Sequence, residues 1–166
     1  NISLCNLECL ISNNIKERLF FKGGPSFCAK IKSIEALKNS NFDTINISNN
    51  HSNDYNNIGI LDTINILKKN KFNILGLKNV PYKIYNIDDC KIIIIGMSTY
   101  FKRLKNNKYI YIYNHTTLEL IKYLKSICDI LIVTIHWGTE YIFNNNEKQK
   151  NIAEKMIKNG VDIIIG

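Results

Sequence analysis

Short apolar runs alternate with amphipathic segments along this chain. Residues 91–97 and 129–136 are apolar almost throughout, as in buried strands, whereas Ile58, Leu61 and Ile64 recur at helical spacing. The predicted strands are residues 2–8, 42–48, 72–76, 91–97, 129–136 and 161–166, and the predicted helices are residues 29–38, 58–69, 116–127 and 147–158. This alternation predicts an α/β fold with central β-sheet layers flanked by helices.

Four segments give weaker or more specific signals. The four isoleucines at residues 92–95 predict a strand buried on both faces. Residues 49–57, which follow the second predicted strand, are polar and predict a loop, as does the segment through Gly23, Gly24 and Pro25. Residues 99–114 are rich in Lys and Tyr and leave two interpretations open, an exposed loop or an edge hairpin.

The length predicts one domain over residues 1–166. A chain of 166 residues with 45% hydrophobic content can bury one substantial core, and no composition shift marks a second. No run of eighteen uncharged apolar residues is present, and the first residues lack the pattern of a secretory signal. Because an apolar run lies at each terminus, we expect that the domain is truncated at both ends.

The net charge of +8 reflects composition more than recognition. The chain contains 20 Lys and only 2 Arg, together with 31 Ile and 25 Asn, a bias that A/T-rich codons would produce. Phosphate-reading surfaces usually favour Arg, so no nucleic-acid partner is expected, although an acidic polymer would still be attracted. A nucleic-acid binder remains a third hypothesis, and it predicts steep salt dependence.

The cysteines predict neither a zinc knuckle nor a disulfide framework. They are odd in number and lack CxxC spacing, so we interpret them as small packed hydrophobes.

Polar side chains follow three of the predicted strands. Glu8 closes the first, Asn50 and His51 follow the second, and His136 closes the strand at 129–136. The carboxyl ends of strands in an open α/β sheet line a shared crevice, so these residues are expected to converge. Carboxylate, amide and imidazole donors suit manganese, iron or zinc, and two such ions would support metal-assisted hydrolysis.

A general acid can also be assigned. His51 is the candidate, with Asp54 holding the other ring nitrogen and favouring the protonated form. Glu140 is expected to orient His136 or a nearby Lys. Trp137 and Tyr141 are assigned to the surroundings of the site, and their ordinary structural interpretation is that they wall its rim as packed aromatics.

Each of these residues also has an ordinary structural interpretation. Glu8 would be a solvated or capping carboxylate, Asp54 would form an Asx-turn, and Asn50 would be a turn residue. His51 and His136 have the stronger claim because the chain has only three histidines. His115 is assigned no chemistry.

Three motifs are specific enough to name a family. NLE at 6–8, SNNHSNDY at 48–55 and HWGTEY at 136–141 resemble the bacterial capsule-biosynthesis CapA family, which is associated with poly-gamma-glutamate synthesis and belongs to the calcineurin-like metallophosphoesterase superfamily. GILDTINILKKNKFNILG and GVDIIIG extend the resemblance over nearly the whole chain.

The resemblance implies a metallophosphoesterase-like sandwich and a role for each motif residue. Glu8 takes the place of a metal-bridging carboxylate, Asn50 of an amide ligand and His136 of a metal-binding imidazole. His51 takes the place of the general acid, with Asp54 beside it, and Glu140 matches the glutamate of the HWG-x-EY motif. The implied substrate is a phosphoester or an acidic polymer, handled at the cell envelope by a membrane-associated synthesis complex.

The chain also departs from the family pattern. A Gly-Asp segment before NLE and a His-Pro-His segment after the last glycine, both ligand-bearing, are absent, and DYNNIG stands where the family commonly has DYG. NLECLIS also lacks the family's usual proline. A different class of function therefore stays open, a non-catalytic envelope or polymer-binding module with a degenerate site.

Overall fold

The computed structural model describes residues 1–13, 24–100 and 106–166. Its described strands are β1 (Leu4–Asn6), β2 (Leu10–Ile11), β3 (Cys28–Ala29), β4 (Thr44–Asn46), β5 (Asn73–Leu75), β6 (Tyr82–Ile87), β7 (Cys90–Ser98), β8 (Ile130–His136) and β9 (Ile163–Ile165). Its α-helices are α1 (Ile34–Asn39), α2 (Asn56–Lys69), α3 (Thr117–Lys125) and α4 (Glu147–Lys158), with 3-10 turns at Ile31–Ser33 and Asn50–Asn53.

Two main sheets form the framework. The first has the order β1-β4-β5 and is entirely parallel, and the second has the order β6-β7-β8-β9, in which only β6 runs antiparallel to its neighbour. A short parallel pair, β2 and β3, lies beside them. This mixed α/β architecture, with parallel sheets and flanking helices, is the fold that the sequence predicted.

Each main sheet has its own apolar core. In the second sheet, Ile93 and Ile95 of β7 are fully buried with Leu131 and Val133 of β8, in one cluster with side chains of α3 and α4. In the first, Ile45 of β4 lies in a cluster with the buried face of α2. The predicted burial of the isoleucine run is confirmed for Ile93 to Ile95, whereas Ile92 is only partly buried.

Several predicted boundaries were wrong. The strand at 2–8 is paired only over Leu4–Asn6, because the chain then turns into β2. Ala29 belongs to a strand, and the helix predicted from it begins with the 3-10 turn at Ile31. Strand β6 was not predicted, because its side chains alternate between exposed and half-buried and so lack an apolar run.

Neither interpretation of residues 99–114 holds where the structure describes them. Ile110 and Tyr111 are 2% and 9% exposed, so the segment is not an exposed loop. It makes isolated bridges from Ile110 to Leu77 and from Ile112 to Ser98, which places it between the two sheets instead of in a hairpin. Residues 101–105, and Gly23 of the first predicted loop, lie outside the described residues.

The thiols are less buried than their apolar interpretation requires. Cys28 is exposed, and the other four cysteines are half-buried. Burial still raises the pKa of Cys5 to about 11, which keeps that thiol protonated and unreactive at neutral pH.

Candidate functional site

The site is built at the carboxyl ends of β1, β4 and β8. Glu8 lies two residues beyond β1, Asn50 and His51 lie four and five residues beyond β4, and His136 is the last residue of β8. All four line one cavity of about 350 Å³. The structure therefore brings together the residues that the sequence predicted would converge, and it does so from both main sheets.

The polar segment after β4 is not the open loop predicted from its composition. Residues 50–53 form a buried 3-10 turn, and Asn49 caps its start through reciprocal hydrogen bonds with the turn. The Asn49 side chain accepts a hydrogen bond from the His51 amide at 3.0 Å, and the Ser52 hydroxyl accepts one from the Asn49 amide at 3.1 Å. The turn presents Asn50 and His51 to the cavity in a fixed orientation.

The same capping residue fixes the turn against β1. Asn49 Nδ2 donates to the carbonyl of Leu7 at 2.9 Å and to Asn6 Oδ1 at 3.2 Å. Glu8 therefore sits next to a backbone segment that is held by the turn carrying Asn50 and His51. The sequence analysis gave Asn49 no role beyond the polar segment, although Asn is a preferred N-cap residue and could have indicated the start of a helical turn.

A carboxylate lies between two imidazoles. Glu8 Oε1 is 3.5 Å from His136 Nε2 and 3.9 Å from His51 Nε2. Burial lowers the pKa of His136 below its ordinary value of 6.5, while Glu8 acts in the opposite direction and His51 adds to the lowering. Neutral imidazole is the form that binds metal ions, so the environment of His136 favours ligation.

Asp54 and Glu140 support the neighbouring side chains. Asp54 is fully buried, and its Oδ2 lies 2.7 Å from His51 Nδ1 and accepts a hydrogen bond from the Phe27 amide at 2.8 Å. Glu140 Oε1 accepts a hydrogen bond from Asn50 Nδ2 at 3.0 Å. The hydrogen bond observed for Glu140 is thus to Asn50, whereas orientation of His136 or Lys was expected.

Asn50 has one polar atom without a partner. Its Oδ1 is buried and accepts no hydrogen bond from any described residue. A buried amide oxygen left unpaired is unfavourable by about 1–3 kcal/mol, so it requires an explanation such as an ion or a catalytic role, and Asp54 Oδ1 is unpaired in the same way. A carboxylate can only accept hydrogen bonds, so Glu140 holds the Nδ2 end of the Asn50 amide towards itself. The Oδ1 end then faces away from Glu140 and is the end that can bind a cation.

The donor types fit a divalent cation, but the set is small. A carboxylate, an unpaired amide oxygen and a histidine that favours its neutral form are ligands of manganese, iron and zinc sites. Among the residues that the structure describes, however, no three His, Cys, Asp or Glu side chains are arranged to hold an ion.

Aromatic side chains form the walls of the cavity. Trp137 lines it as expected, whereas Tyr141 lies at its mouth and is 94% exposed, so Tyr141 is not the packed aromatic that was predicted. Phe27 and Tyr100 were missed, since no local pattern distinguishes them. The Phe27 ring centroid lies 4.5 Å from that of His51, and the Tyr100 centroid lies 5.3 Å from that of His136.

Two solved structures that share this fold are nucleotidases by name. The NAD nucleotidase of Haemophilus influenzae matches 74% of this chain and 31% of its own, with a TM-score of 0.52 and 19% identity. A putative 5′-nucleotidase from Staphylococcus aureus matches 97% of this chain and 43% of its own, with a TM-score of 0.51 and 13% identity. The chain thus has a metallophosphoesterase-like α/β fold.

The family is shown by sequence. The model of the bacterial capsule synthesis protein family PGA_cap matches residues 1–166, and the chain belongs to this family. It is 29% identical to the PGA biosynthesis protein CapA of Bacillus subtilis and 27% identical to the capsule biosynthesis protein CapA of Bacillus anthracis. The matches cover 81% and 83% of this chain but only 38% and 37% of those relatives.

Proposed function

We propose that the protein is a metal-dependent, phosphoesterase-like hydrolase that acts in capsule or poly-gamma-glutamate biosynthesis at the cell envelope. Family membership supports the biological setting, and the fold supports the class of chemistry. Envelope association would depend on a partner or on sequence outside the described helices. None of those helices combines the length and apolar character needed to cross a bilayer.

The observation that carries the metal proposal is the unpaired Oδ1 of Asn50. It is buried at the cavity that also holds Glu8 and His136, and Glu140 fixes its direction. Glu8, Asn50 and His136 would hold manganese, iron or zinc, with two ions in the complete site. The metal would supply a water activated for attack and neutralise charge on the phosphoryl oxygens.

His51 would act as the general acid. Its Nδ1 is held by Asp54, which leaves Nε2 on the side of Glu8 and the cavity. From that position the ring would donate a proton to the leaving-group oxygen, a contribution of typically 10²–10⁴-fold in rate. Its close contact with Phe27 would limit the rotation of the ring and so help to hold Nε2 on the side of the reacting group.

One observation favours a second function. Within the described ranges the acidic and imidazole groups do not complete a metal site by themselves. A non-catalytic module that binds an envelope polymer would keep the fold without needing that site. The metal content of the protein separates the two functions.

The test is metal analysis and phosphodiester hydrolysis by protein expressed from its complete gene. We expect manganese, iron or zinc in the wild type, lower occupancy in His136→Ala, and normal occupancy with strongly reduced turnover in His51→Ala. His115→Ala is the matched control, because this third histidine is exposed and outside the cavity. Full occupancy and full activity in both site variants would contradict the proposal, and a metal-free wild type would favour the polymer-binding module.

A further inference from the structure

The cavity combines an acidic, polar floor with aromatic walls. Among the described residues, its lining includes the carboxylates of Glu8 and Glu140 and no lysine or arginine, although the chain as a whole carries a net charge of +8. A polyanionic chain therefore finds no lysine or arginine among the described lining residues, whereas the phosphate of a ligand would be held through the proposed metal.

The mouth of the cavity continues into an exposed apolar tip, Tyr141 to Phe143. The three side chains are 94%, 61% and 104% exposed, and the tip is contiguous with the cavity through Tyr141. These are three consecutive large apolar residues exposed to water. A ligand that covers them removes apolar surface from water, which favours binding.

Backbone geometry holds this tip in place. The Ile142 amide donates to the carbonyl of Thr139 at 3.2 Å, closing a turn in which Tyr141 has a left-handed φ of 65°. That conformation is unfavourable for a residue with a side chain and is found mostly where the surrounding structure imposes it. The same turn places Glu140 within hydrogen-bond distance of Asn50 and Tyr141 in the cavity lining, so the polar residues and the tip belong to one ordered segment.

We propose that the site accepts a phosphate ester whose organic group is flat or apolar, and that Phe27, Trp137 and Tyr141 hold this group while the polar floor holds the phosphate. This inference rests on the proposed phosphoesterase function and specifies its substrate class. Aromatic faces bind planar groups by offset stacking and bind apolar groups by excluding water. Together these contacts are expected to favour an aryl over a methyl group by about tenfold.

The experiment compares binding of phenylphosphonate and methylphosphonate to the zinc-loaded protein. The two ligands carry the same anionic group and differ only in the ring. Trp137 is the only tryptophan of the chain and lines the cavity, so its fluorescence reports binding without any turnover. We expect about tenfold tighter binding of phenylphosphonate to the wild type.

Tyr141→Ala is expected to reduce this preference to about threefold or less. Tyr123→Ala is the matched control, because Tyr123 is 59% exposed on α3 and does not line the cavity. Phe143→Ala measures how far the ligand extends along the tip.

The outcomes separate this inference from the proposed function. Equal affinity of the wild type for both phosphonates overturns the inference and leaves the phosphoesterase proposal standing, whereas binding of neither overturns both. If Tyr141→Ala and Phe143→Ala keep the phenyl preference but lose binding to anionic phospholipid vesicles, the tip is a membrane contact and the inference is wrong.

Discussion

His51 Nδ1 lies 2.7 Å from Asp54 Oδ2, and this carboxylate is completely buried. The two residues are three positions apart, and the 3-10 turn between them brings their side chains onto the same side. The same Asp54 oxygen also accepts a hydrogen bond from the Phe27 amide. One carboxylate oxygen therefore fixes both the His51 imidazole and Phe27, whose ring packs on that imidazole. The geometry is that of an orienting carboxylate, which keeps the opposite ring nitrogen available to the cavity.

The first prediction concerns Asp54→Asn. The asparagine amide can still accept one hydrogen bond, but it removes the negative charge that stabilises an imidazolium beside it. We expect turnover to fall roughly 10–100-fold with metal content unchanged, as is common for residues that support a catalytic group. Steady-state hydrolysis and metal analysis of the same preparation measure both quantities.

Asp62→Asn is the matched control for that change. Asp62 is a half-buried carboxylate on α2 that accepts a hydrogen bond from Ser12 and does not line the cavity. A similar loss of turnover in both variants would show that Asp54 acts through general stability instead of through His51.

The second prediction concerns Glu140, which we assign as a positioning residue for Asn50. In Glu140→Gln the new side chain can donate as well as accept, so it no longer forces Asn50 Nδ2 to face it. The Asn50 amide can then rotate and turn Oδ1 away, and zinc affinity should fall roughly 10–100-fold. Competition with a chelator of known affinity measures this change without relying on turnover.

Glu147→Gln provides the comparison for Glu140. Glu147 is an exposed glutamate in the first turn of α4, paired with Lys150. Unchanged zinc affinity in Glu140→Gln would contradict the assignment, and an equal decrease in both variants would attribute the effect to net charge.

Much of the fold could be predicted because its central strands are recognisable from the local sequence alone. The apolar runs that became β7 and β8 are long and uninterrupted, and their burial follows from composition alone. Strand β6 was not recognised in the same way, because it lies at the edge of its sheet and three of its six side chains are exposed, although a two-residue turn joins it directly to β7. The burial of Ile110 likewise depends on its bridge to Leu77, more than thirty residues earlier.

The part of the candidate site that could be predicted consists of residues at or just after the ends of strands. Glu8, Asn50, His51 and His136 were found from position and chemistry, and the structure places them around one cavity. The support around them was harder to predict. The hydrogen bond between Asn50 and Glu140 was not predicted because the two residues are ninety positions apart in sequence, and nothing local distinguishes Phe27 as the residue that packs on His51.

The third prediction tests the close contact between the two main sheets at Gly96. A Cβ built on this β7 residue would lie 2.5 Å from Asn46 Oδ1, 2.7 Å from the Gly76 amide nitrogen and 2.8 Å from Leu75 Cβ. Two of these atoms are in the first sheet and one is backbone, so the sheets would have to separate. Gly96→Ala should lower the free energy of unfolding by about 1–3 kcal/mol or more, measured by urea denaturation.

Lys83→Ala in β6 is the control for Gly96→Ala, since Lys83 is exposed and its truncation leaves the contact between the sheets unchanged. An alanine at position 96 that leaves the urea midpoint unchanged would show that the sheets separate without cost.

The fourth prediction concerns Asp162, which precedes β9. Its carboxylate accepts hydrogen bonds from the Leu131 amide at 2.7 Å and from Lys125 Nζ at 2.8 Å, and these partners lower the pKa of Asp162 below its ordinary value of 3.8. A carboxylate with a lower pKa in the folded state stabilises the protein above its unfolded-state pKa, and that contribution is lost as pH falls through the folded value. Because the Asp162 side chain is 41% exposed, solvent screening keeps the contribution under about 1 kcal/mol.

Asp162→Asn should therefore lower the urea midpoint at pH 7 and differ little from the wild type near pH 2. The control is Asp89→Asn, in the exposed turn between β6 and β7, which should leave the urea midpoint unchanged at both pH values. A difference for Asp162→Asn that is equally large at both pH values would show that the side chain acts through packing and not through its charge.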